Sequence, residues 1–399
     1  MYYRASSAPC TPNVSPSQRD QHLEDIVKFV NPDIFTVNEM GANPSNHGFV
    51  RDFVLNTGGV TKYASAQYSN NSFSSITNML YYNTEKLGLI GQSSISKDKA
   101  GNNLVRIIDL YHLYHKDTNL SAGADTVSFI VAVAHLKAGN STADALERLE
   151  ATEAFMEALD QSVNQNNIIF CGDFNFYRSN EPGYQELINY STVSERLMDP
   201  LNQSGSWNNN SAYAAIHTQS TRSSGSGCFS GGGMDDRFDF FLISDEIMNG
   251  SEGLSYKLNS YATIGQDGNH FNQSINSGTN SSAPSSIVNA LYNFSDHLPI
   301  MMKLQAVSNI GIEEHRSLRD NFSCNNPVKE YLQLHLKNSV SENIEVRILD
   351  LTGKTVCRSS WLKGSREKTV VMDNLPTGIY LVNVSTPRGE STTQKIIKN

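Results

Sequence analysis

The sequence lacks the features that mark several protein classes. Its 399 residues include only five cysteines, and no two of them form a Cys-x-x-Cys pair, so neither a zinc site nor a disulfide framework is expected. No apolar run approaches the ~18 residues that a membrane-spanning helix needs. Positive charge is also scarce, since 31 Lys and Arg against 40 Asp and Glu leave a net charge of -9. That balance argues against a generally basic nucleic-acid coat protein, although it allows an enzyme with one local basic groove.

The amino-terminal end shows no recognisable export signal. It reads MYYRASSAPCTPNVSP, without a charged segment followed by an apolar one. What the chain does have is a hydrophobic content of 38% and a charged content of 18%. Both values are typical of a soluble globular protein with one large domain or two.

Apolar periodicity predicts a mixture of helices and strands over residues 17–305. Apolar residues at helical spacing predict helices over 17–30 and 142–163. Apolar runs predict strands over 33–40, 74–83, 104–116, 126–138, 168–176, 237–244 and 297–305. Because helices and strands do not alternate strictly, packed sheets flanked by helices are favoured over a doubly wound sheet.

The pattern changes in the carboxy-terminal part of the chain. After a polar segment come short stretches in which apolar and polar residues alternate, separated by turn signals such as Thr352-Gly353-Lys354. These stretches predict strands over 331–337, 344–351, 368–372 and 379–385. We therefore predict a first domain over 1–306, a linker over 307–323 and a small all-β sandwich over 324–399.

The stretch IIFCGDFNF, residues 168–176, is the most informative part of the sequence. Its apolar run stops at Gly172, and two short polar side chains, Asp173 and Asn175, follow. In an extended strand, residues two apart point to the same side. A carboxylate and a carboxamide would then face one cavity, where they could orient a water molecule and a phosphoryl oxygen. The alternative is a strand that ends in an ordinary Asx turn.

Other apolar strands also carry polar residues at their edges, namely Glu39, His135, Asp239, Asp296 and His297. Each of them taken singly could be a solvated strand end or a surface histidine. Asp239 is harder to explain in that way, because it lies among three phenylalanines and needs a partner if it is buried.

Four of these residues can form a metal centre with an oriented histidine. Glu39 and Asp296 can bind a hard divalent cation such as Mg²⁺ through oxygen, together with water and substrate phosphate. Asp239 can accept a hydrogen bond from one nitrogen of His297, which fixes the tautomer of the ring and favours its cationic form.

The remaining polar residues supply the other parts needed to hydrolyse a phosphate ester. His135 can donate to a phosphoryl oxygen. Asp173 can align or deprotonate a water molecule, and Asn175 can hold that water in place. The set as a whole predicts metal-assisted hydrolysis.

The segments PDIFTVNEM, VAVAHLKAG, IIFCGDFN, DDRFDFFLIS and SDHLPI occur in this order. In order and combination they resemble the endonuclease/exonuclease/phosphatase superfamily, which includes pancreatic-type deoxyribonucleases. The resemblance implies a deoxyribonuclease-like four-layer α/β sandwich with its site on one edge, and Mg²⁺ or Mn²⁺ at Glu39. It also implies catalytic roles for Asp173, Asn175 and His297. It implies that His135 contacts the phosphate and that Asp239 orients His297.

Two features depart from the pattern of that superfamily. The residue before the metal-binding glutamate is usually Gln, and here it is Asn38. The superfamily also normally opens with a strand that bears an Asn, whereas MYYR stands where that strand should end. We therefore expect that the sequence as given starts late, after a signal peptide and this first strand.

The carboxy-terminal part resembles the C-terminal sorting domain of the type IX secretion system. The segments that carry the resemblance are NNPVKEYLQL, DLTGKTV, LPTGIYLVNV and the final QKIIKN. The resemblance implies a secreted or surface-attached protein whose tail contacts the secretion machinery. The oligomeric state is left open.

We therefore predict a secreted, metal-dependent phosphodiesterase, and among such enzymes a nuclease of low sequence specificity. Substrate binding is assigned to Asn38, Lys137, Arg178 and Arg237, with Arg222 as a further cation of the groove. The alternatives are a phosphatase or a sphingomyelinase-like phospholipid esterase on the same fold, and a surface protein with impaired catalysis.

Overall fold

The chain divides into two compact units, Met1–Ser308 and Asn309–Asn399. The structure is a computed structural model that describes residues 3–4, 16–69, 71, 74–117, 126–161, 166–192, 196–227, 229–306, 322–337, 343–386 and 391–399. Among the described residues, no helix combines the length and the apolar character that crossing a membrane requires.

Six α-helices and thirteen strands are described in the first unit. The helices are α1 Pro16–Val30, α2 Pro44–Val50, α3 Thr142–Asp160, α4 Pro182–Ile188, α5 Asp245–Asn249 and α6 Ser285–Phe294. The first seven strands are β1 Ile34–Gly41, β2 Tyr63–Ser65, β3 Ile76–Asn83, β4 Leu87–Lys97, β5 Asn103–His115, β6 Ser128–His135 and β7 Ile168–Asp173. The others are β8 Leu197–Met198, β9 Asp239–Ser244, β10 Leu254–Tyr256, β11 Ala262–Thr263, β12 Ile300–Met301 and β13 Leu304–Ala306.

A six-stranded sheet in the order β4-β5-β6-β7-β9-β8 forms the centre of this unit. Its strands pair antiparallel except for β6 and β7, which are parallel. The register sets His135 opposite Asp173, and Asp173 opposite Asp239. Three polar residues thus form one row across the ends of three neighbouring strands.

The two faces of the six-stranded sheet are covered differently. Since successive side chains of a strand point to opposite faces, Ile130 and Ala132 pack with α3 and α4 in one core. Val131 and Val133 lie in the other core, with residues of the three-stranded sheet β1-β3-β2 and of α1 and α6. Helices, sheet, sheet and helices therefore form four layers, which confirms the predicted α/β sandwich.

A cavity of about 700 Å³ lies beside β1, between α1 and the six-stranded sheet. Within the described part of the chain, β3 is the only strand that pairs with β1. The other edge of β1 makes two backbone hydrogen bonds at its end, from the N–H of Tyr3 to Glu39 and from the N–H of Gly41 to Tyr3. The cavity has a mostly apolar lining that includes Val131 and Phe241, and it reaches Glu39 and Asp173 at one end.

The second unit is a β-sandwich, as predicted. Its strands are β14 Phe322–Cys324, β15 Tyr331–Leu336, β16 Ile344–Leu349, β17 Thr355–Trp361, β18 Glu367–Val371, β19 Gly378–Ser385 and β20 Ser391–Lys398. They form two antiparallel sheets, β14-β15-β18 and β17-β16-β19-β20. Trp361 and Val382 are fully buried among the apolar side chains of this unit.

Several predicted boundaries differ from the structure, and two of the differences affect polar residues singled out from the sequence. The strand predicted over 297–305 is two short strands, β12 and β13, which pair with different partners. The strand predicted over 168–176 ends at Asp173, because the backbone turns there.

Candidate functional site

The row of polar residues on the six-stranded sheet is the centre of the candidate site. The Nε2 atom of His135 lies 3.4 Å from Oδ2 of Asp173. Both side chains are almost fully buried. The parallel pairing of β6 and β7 causes this proximity, since parallel strands end at the same edge of a sheet.

Gly172 allows β6 and β7 to approach closely. Its φ angle is 133°, and a Cβ atom at this position would lie 2.0 Å from the carbonyl oxygen of Ala134. Only glycine avoids both this clash and the strain of the positive φ. The position of Asp173 therefore depends on the residue that precedes it.

Asp173 and Asn175 are brought together by a turn. Asn175 has a φ of 52°, and its backbone N–H donates to Oδ1 of Asp173 over 3.1 Å. The predicted extended geometry is therefore wrong and the alternative, an Asx turn, is present, because the strand ends at Asp173. The turn still buries both side chains at the same edge of the sheet, where the Asn175 amide donates to the carbonyl oxygen of Leu136.

Glu39 reaches the site through an irregularity in β1. The pairing register of β1 with β3 shifts between Val37 and Met40, and Glu39 has a φ of 60°. Such a bulge changes the direction of a side chain. Oε1 of Glu39 lies 3.9 Å from Nε2 of His135.

The predicted contact between Asp239 and His297 is present. Nδ1 of His297 lies 2.8 Å from Oδ2 of Asp239, and Nε2 lies 3.8 Å from Oδ2 of Asp173. With Nδ1–H donating to Asp239, the Nε2 atom faces the row of catalytic candidates.

Asp296 and His297 share a neighbour that the sequence reasoning missed. The side-chain nitrogen of Gln219 lies 2.7 Å from Nε2 of His297 and 3.4 Å from Oδ2 of Asp296. The same Asp296 oxygen accepts from the backbone N–H of Ser230. Gln219 lies in the polar loop over 201–233, and no local pattern distinguishes it from the other polar residues there.

The acid–base state of these groups follows from burial and mutual charge. Burial raises the pKa of Asp173 to about 7, and the carboxylates of Asp239 and Glu39 act in the same direction. Burial lowers the pKa of His297, but the carboxylates of Asp239 and Asp173 outweigh it and raise the value to about 10. Burial lowers the pKa of His135 to about 3, assisted by the positive charge of Arg106. His135 is therefore neutral and His297 cationic near pH 7.

Arg106 is a second residue that sequence reasoning did not single out. It lies on β5, and its guanidinium donates to the carbonyl oxygens of His135 and Leu136. The charge of Arg106 thereby lies next to the loop after β6.

The residues assigned to substrate binding have different positions. Arg178 is exposed next to the turn at Asn175. The ammonium group of Lys137 lies 2.5 Å from a carboxylate oxygen of Asp144, so its charge is paired. Asn38 bonds to the protein interior, with its amide donating to Asn78 and to the carbonyl oxygen of Ala134.

The prediction that Arg237 contacts substrate is wrong. Its guanidinium is fully buried and forms two hydrogen bonds to Asp199, over 2.8 and 2.9 Å. Arg222 is also buried and donates to the carbonyl oxygen of Tyr292. Both cations form hydrogen bonds inside the protein and do not line a groove.

The described residues contain no cluster of three or more His, Cys, Asp or Glu side chains arranged to hold a metal ion. Glu39 and Asp296 are separate oxygen donors near the histidines. Any ion at this site would take most of its ligands from water or substrate, as Mg²⁺ commonly does.

The carboxy-terminal unit matches a known family. The model of the secretion system C-terminal sorting domain matches residues 326–399. This segment is a secretion system sorting domain. The sorting domain indicates export by the type IX secretion system to the cell surface or the extracellular space, which confirms the prediction made from the sequence.

No curated protein matches the chain, whereas several solved structures are similar to it. The catalytic domain of human Nocturnin with bound sulfate shares 14% identity at a TM-score of 0.46, over 74% of this chain and 88% of that one. TDP2 from D. rerio, complexed with single strand DNA product, shares 12% identity at a TM-score of 0.46, over 74% and 94%. An endonuclease/exonuclease/phosphatase from Bacteroides vulgatus shares 12% identity at a TM-score of 0.43, over 73% and 91%.

Proposed function

We propose that the first unit is a phosphoester hydrolase that cleaves phosphodiesters with the help of Mg²⁺ or Mn²⁺. The observation that carries this proposal is the convergence of a buried acid, Asp173, with two histidines, His135 at 3.4 Å and His297 at 3.8 Å. A base and a cationic donor within 3.8 Å of each other are the groups that hydrolysis of a phosphate ester needs.

The donor set fits a divalent cation. Four acidic side chains, those of Glu39, Asp173, Asp239 and Asp296, lie at the same end of the sheets, and His297 contacts two of them, Asp173 and Asp239. Such an excess of buried negative charge favours a bound cation. Glu39 and Asp296 would hold it, and when bound it would supply positive charge to the phosphoryl oxygens.

Asp173 is suited to accept a proton from the attacking water molecule. Burial raises its pKa to about 7, and a base with a pKa near the working pH is most effective. Asn175, held by its turn next to Asp173, would position that water through its carboxamide.

The two histidines would act on the phosphoryl oxygens. His297 is kept cationic by Asp239 and presents Nε2–H to the charge that develops in the transition state. His135 is neutral and donates a hydrogen bond from Nε2. With Nε2 of His297 protonated, the Gln219 carboxamide has to turn its oxygen toward the ring or be displaced by substrate.

Nucleic acid is the substrate that we propose first, cleaved with low sequence specificity, and the exposed Arg178 supports it. A groove for a polyanion needs accessible cations. Arg222 and Arg237 are buried, and Lys137 is paired with Asp144, so none of the three supplies an unpaired charge. This leaves a weak groove, so binding should be sensitive to salt.

A phospholipid-type esterase on the same fold is the second candidate, and the rates described next distinguish it from a nuclease.

Rates measured side by side on the full chain with Mg²⁺ would test the proposal. The substrates are plasmid DNA, RNA, bis-p-nitrophenyl phosphate, inositol phosphates and sphingomyelin. We expect turnover of the nucleic acids and of the synthetic diester, and little turnover of monoesters. Turnover of the lipid alone would replace the nuclease proposal by the second candidate. No turnover of any phosphoester would reject the proposed function.

A further inference from the structure

Two asparagines form a polar bridge between strands behind the candidate site. The Asn38 amide nitrogen donates to Oδ1 of Asn78 over 2.7 Å and to the carbonyl oxygen of Ala134 over 3.2 Å. The Asn38 side-chain oxygen accepts from the backbone N–H of Asp173 over 3.2 Å. A single carboxamide thereby connects β1, β3, β6 and β7.

Asn78 is anchored in turn on the six-stranded sheet. Its amide nitrogen lies 3.0 Å from Oδ2 of Asp109 and 3.2 Å from the carbonyl oxygens of Ile107 and Val133. Asp109 and Asn78 are both buried, with exposed fractions of 0% and 4%. The bridge therefore ends on a carboxylate that no solvent reaches.

The bridge contacts the backbone at or next to the three candidate residues that lie on strands, Glu39, His135 and Asp173. Asn38 directly precedes Glu39, and Ala134 directly precedes His135. The backbone N–H of Asp173 is bound directly. A lateral shift of any of these strands would break a hydrogen bond inside the protein, where no water can replace it.

Packing alone does not explain these polar residues. Tyr111 and Leu113 follow Asp109 at two-residue intervals on β5 and lie in the apolar core between the sheets, so Asp109 is a charged residue on an otherwise apolar face of the strand. A buried carboxylate and two buried carboxamides are costly unless they are hydrogen-bonded. Buried polar networks whose hydrogen bonds are made keep the surrounding strands in one fixed arrangement.

We propose that Asn78 and Asp109 are positioning residues of the candidate site that act through Asn38. They hold Glu39, His135 and Asp173 in register, and neither of them contacts substrate. The kinetic part of this inference rests on the proposed function. The structural part of the inference is the fixed position of the Asp173 amide, and it is independent of the proposed function.

Two substitutions of Asp109 test the inference in the full chain. Asp109→Asn keeps a side-chain oxygen for Asn78, so we expect kcat within about twofold of the unmodified protein. Asp109→Leu removes the shortest of the three contacts of the Asn78 amide nitrogen, and we expect kcat on bis-p-nitrophenyl phosphate to fall roughly 10- to 100-fold with little change in KM, the size of effect that a displacement of about 1 Å produces. Asp109→Leu also removes a buried charge, so it should fold. Asn78→Leu should behave like Asp109→Leu.

Leu113→Ala is the matched control, because Leu113 is fully buried on the same face of the same strand. We expect it to lower the melting temperature and leave kcat unchanged. Hydrogen exchange at the Asp173 amide gives a readout that does not need activity. It should be about tenfold faster in Asp109→Leu and unchanged in Leu113→Ala, since local protection reports local opening.

The outcomes separate the two proposals. If the unmodified protein hydrolyses no phosphoester but the Asp173 amide exchanges faster in Asp109→Leu, the proposed function fails and the positioning inference stands. Unchanged kcat and exchange in Asp109→Leu would overturn the inference. An equal loss of kcat in Leu113→Ala would overturn it as well, because the effect would then be one of general stability.

Discussion

Arg148 on α3 and Glu181 form a fully buried ion pair, with Nη2 of Arg148 2.6 Å from Oε2 of Glu181. The same guanidinium donates over 2.8 Å to the carbonyl oxygens of Lys137 and Gly139. The other carboxylate oxygen of Glu181 accepts from the backbone N–H of Tyr177. One ion pair thus ties together the loop after His135 and the turn after Asn175.

We expect Arg148→Met to lower the free energy of unfolding by about 3–5 kcal/mol, because it leaves Glu181 buried without a partner. Urea denaturation measures this loss. Arg51→Met is the control, since Arg51 forms an ion pair of the same length, 2.6 Å, with Asp52 that is exposed. That control should lose less than about 1 kcal/mol. Equal losses in both variants would show that the burial of the Arg148 pair has no special effect.

Gly172→Ala should both destabilise the protein and reduce hydrolysis. The strained φ alone costs about 1–3 kcal/mol, and the clash with Ala134 adds to it and displaces Asp173. Gly91→Ala on β4 is the control, because a Cβ there would meet nothing within 4 Å. Thermal unfolding and initial rates measure both effects. Full activity of Gly172→Ala would contradict the close approach of β6 and β7.

The stability of the protein should depend on pH through Asp109. Burial raises the pKa of this carboxyl to about 6, although hydrogen bonds from Ser69 and Asn78 oppose the shift. When the pKa of a carboxyl is higher in the folded than in the unfolded protein, its contribution to the free energy of unfolding is complete below the unfolded pKa of about 4. This contribution is lost as the pH rises through the folded pKa of about 6.

Asp109→Asn cannot ionise and should escape this loss. Relative to the unmodified protein, we expect the variant to gain about 3 kcal/mol in free energy of unfolding between pH 4 and pH 8, from a shift of about two pKa units. Urea denaturation at each pH gives the difference in free energy of unfolding between the two proteins. The effects of the other titrating groups cancel in this difference. A difference that is constant over this range would mean that Asp109 has an ordinary pKa.

Removal of divalent metal should abolish hydrolysis, and Mg²⁺ or Mn²⁺ should restore it. Glu39→Gln should lower kcat by about 100-fold or more, and it should raise the metal concentration needed for half-maximal rate, since it removes a charged oxygen ligand. Metal titrations of the rate compare the two proteins, with Glu157→Gln on α3 as a control. An extensively chelated sample with full activity would exclude the proposed role of metal.

Deletion of 324–399 should prevent export and leave hydrolysis unchanged. The sorting domain is a separate compact unit with its own core, so the first unit keeps its cores without it. The test expresses both forms behind a signal peptide in a host with the type IX secretion system and measures cargo in cells and medium. The rate of the purified 1–306 fragment is the control. Normal export of the shortened form would contradict the role of the tail.

Local sequence patterns were sufficient for much of the fold. Alternation and apolar runs predicted β1, β3, β5, β6 and β7 within a few residues. Burial of one face of a strand gives alternating apolar residues, and burial of both faces gives a continuous apolar run. The same patterns marked Glu39, His135, Asp173 and His297 as polar groups at the edges of apolar segments. Helix α6 was not predicted, although Pro284 and Ser285 precede apolar residues at helical spacing, Ile287, Val288 and Leu291.

The partners of these residues were decided by tertiary structure. Arg237 reads as a free cation in the sequence, yet Asp199, 38 residues away, neutralises it in the interior. Gln219 and Asn78 have no local pattern at all, and they become part of the site because distant strands and loops bring His297 and Asp109 to them. Sequence periodicity records which side chains are buried, whereas the pairing of charges and hydrogen bonds depends on strand order and register, which only the packing of the whole chain fixes.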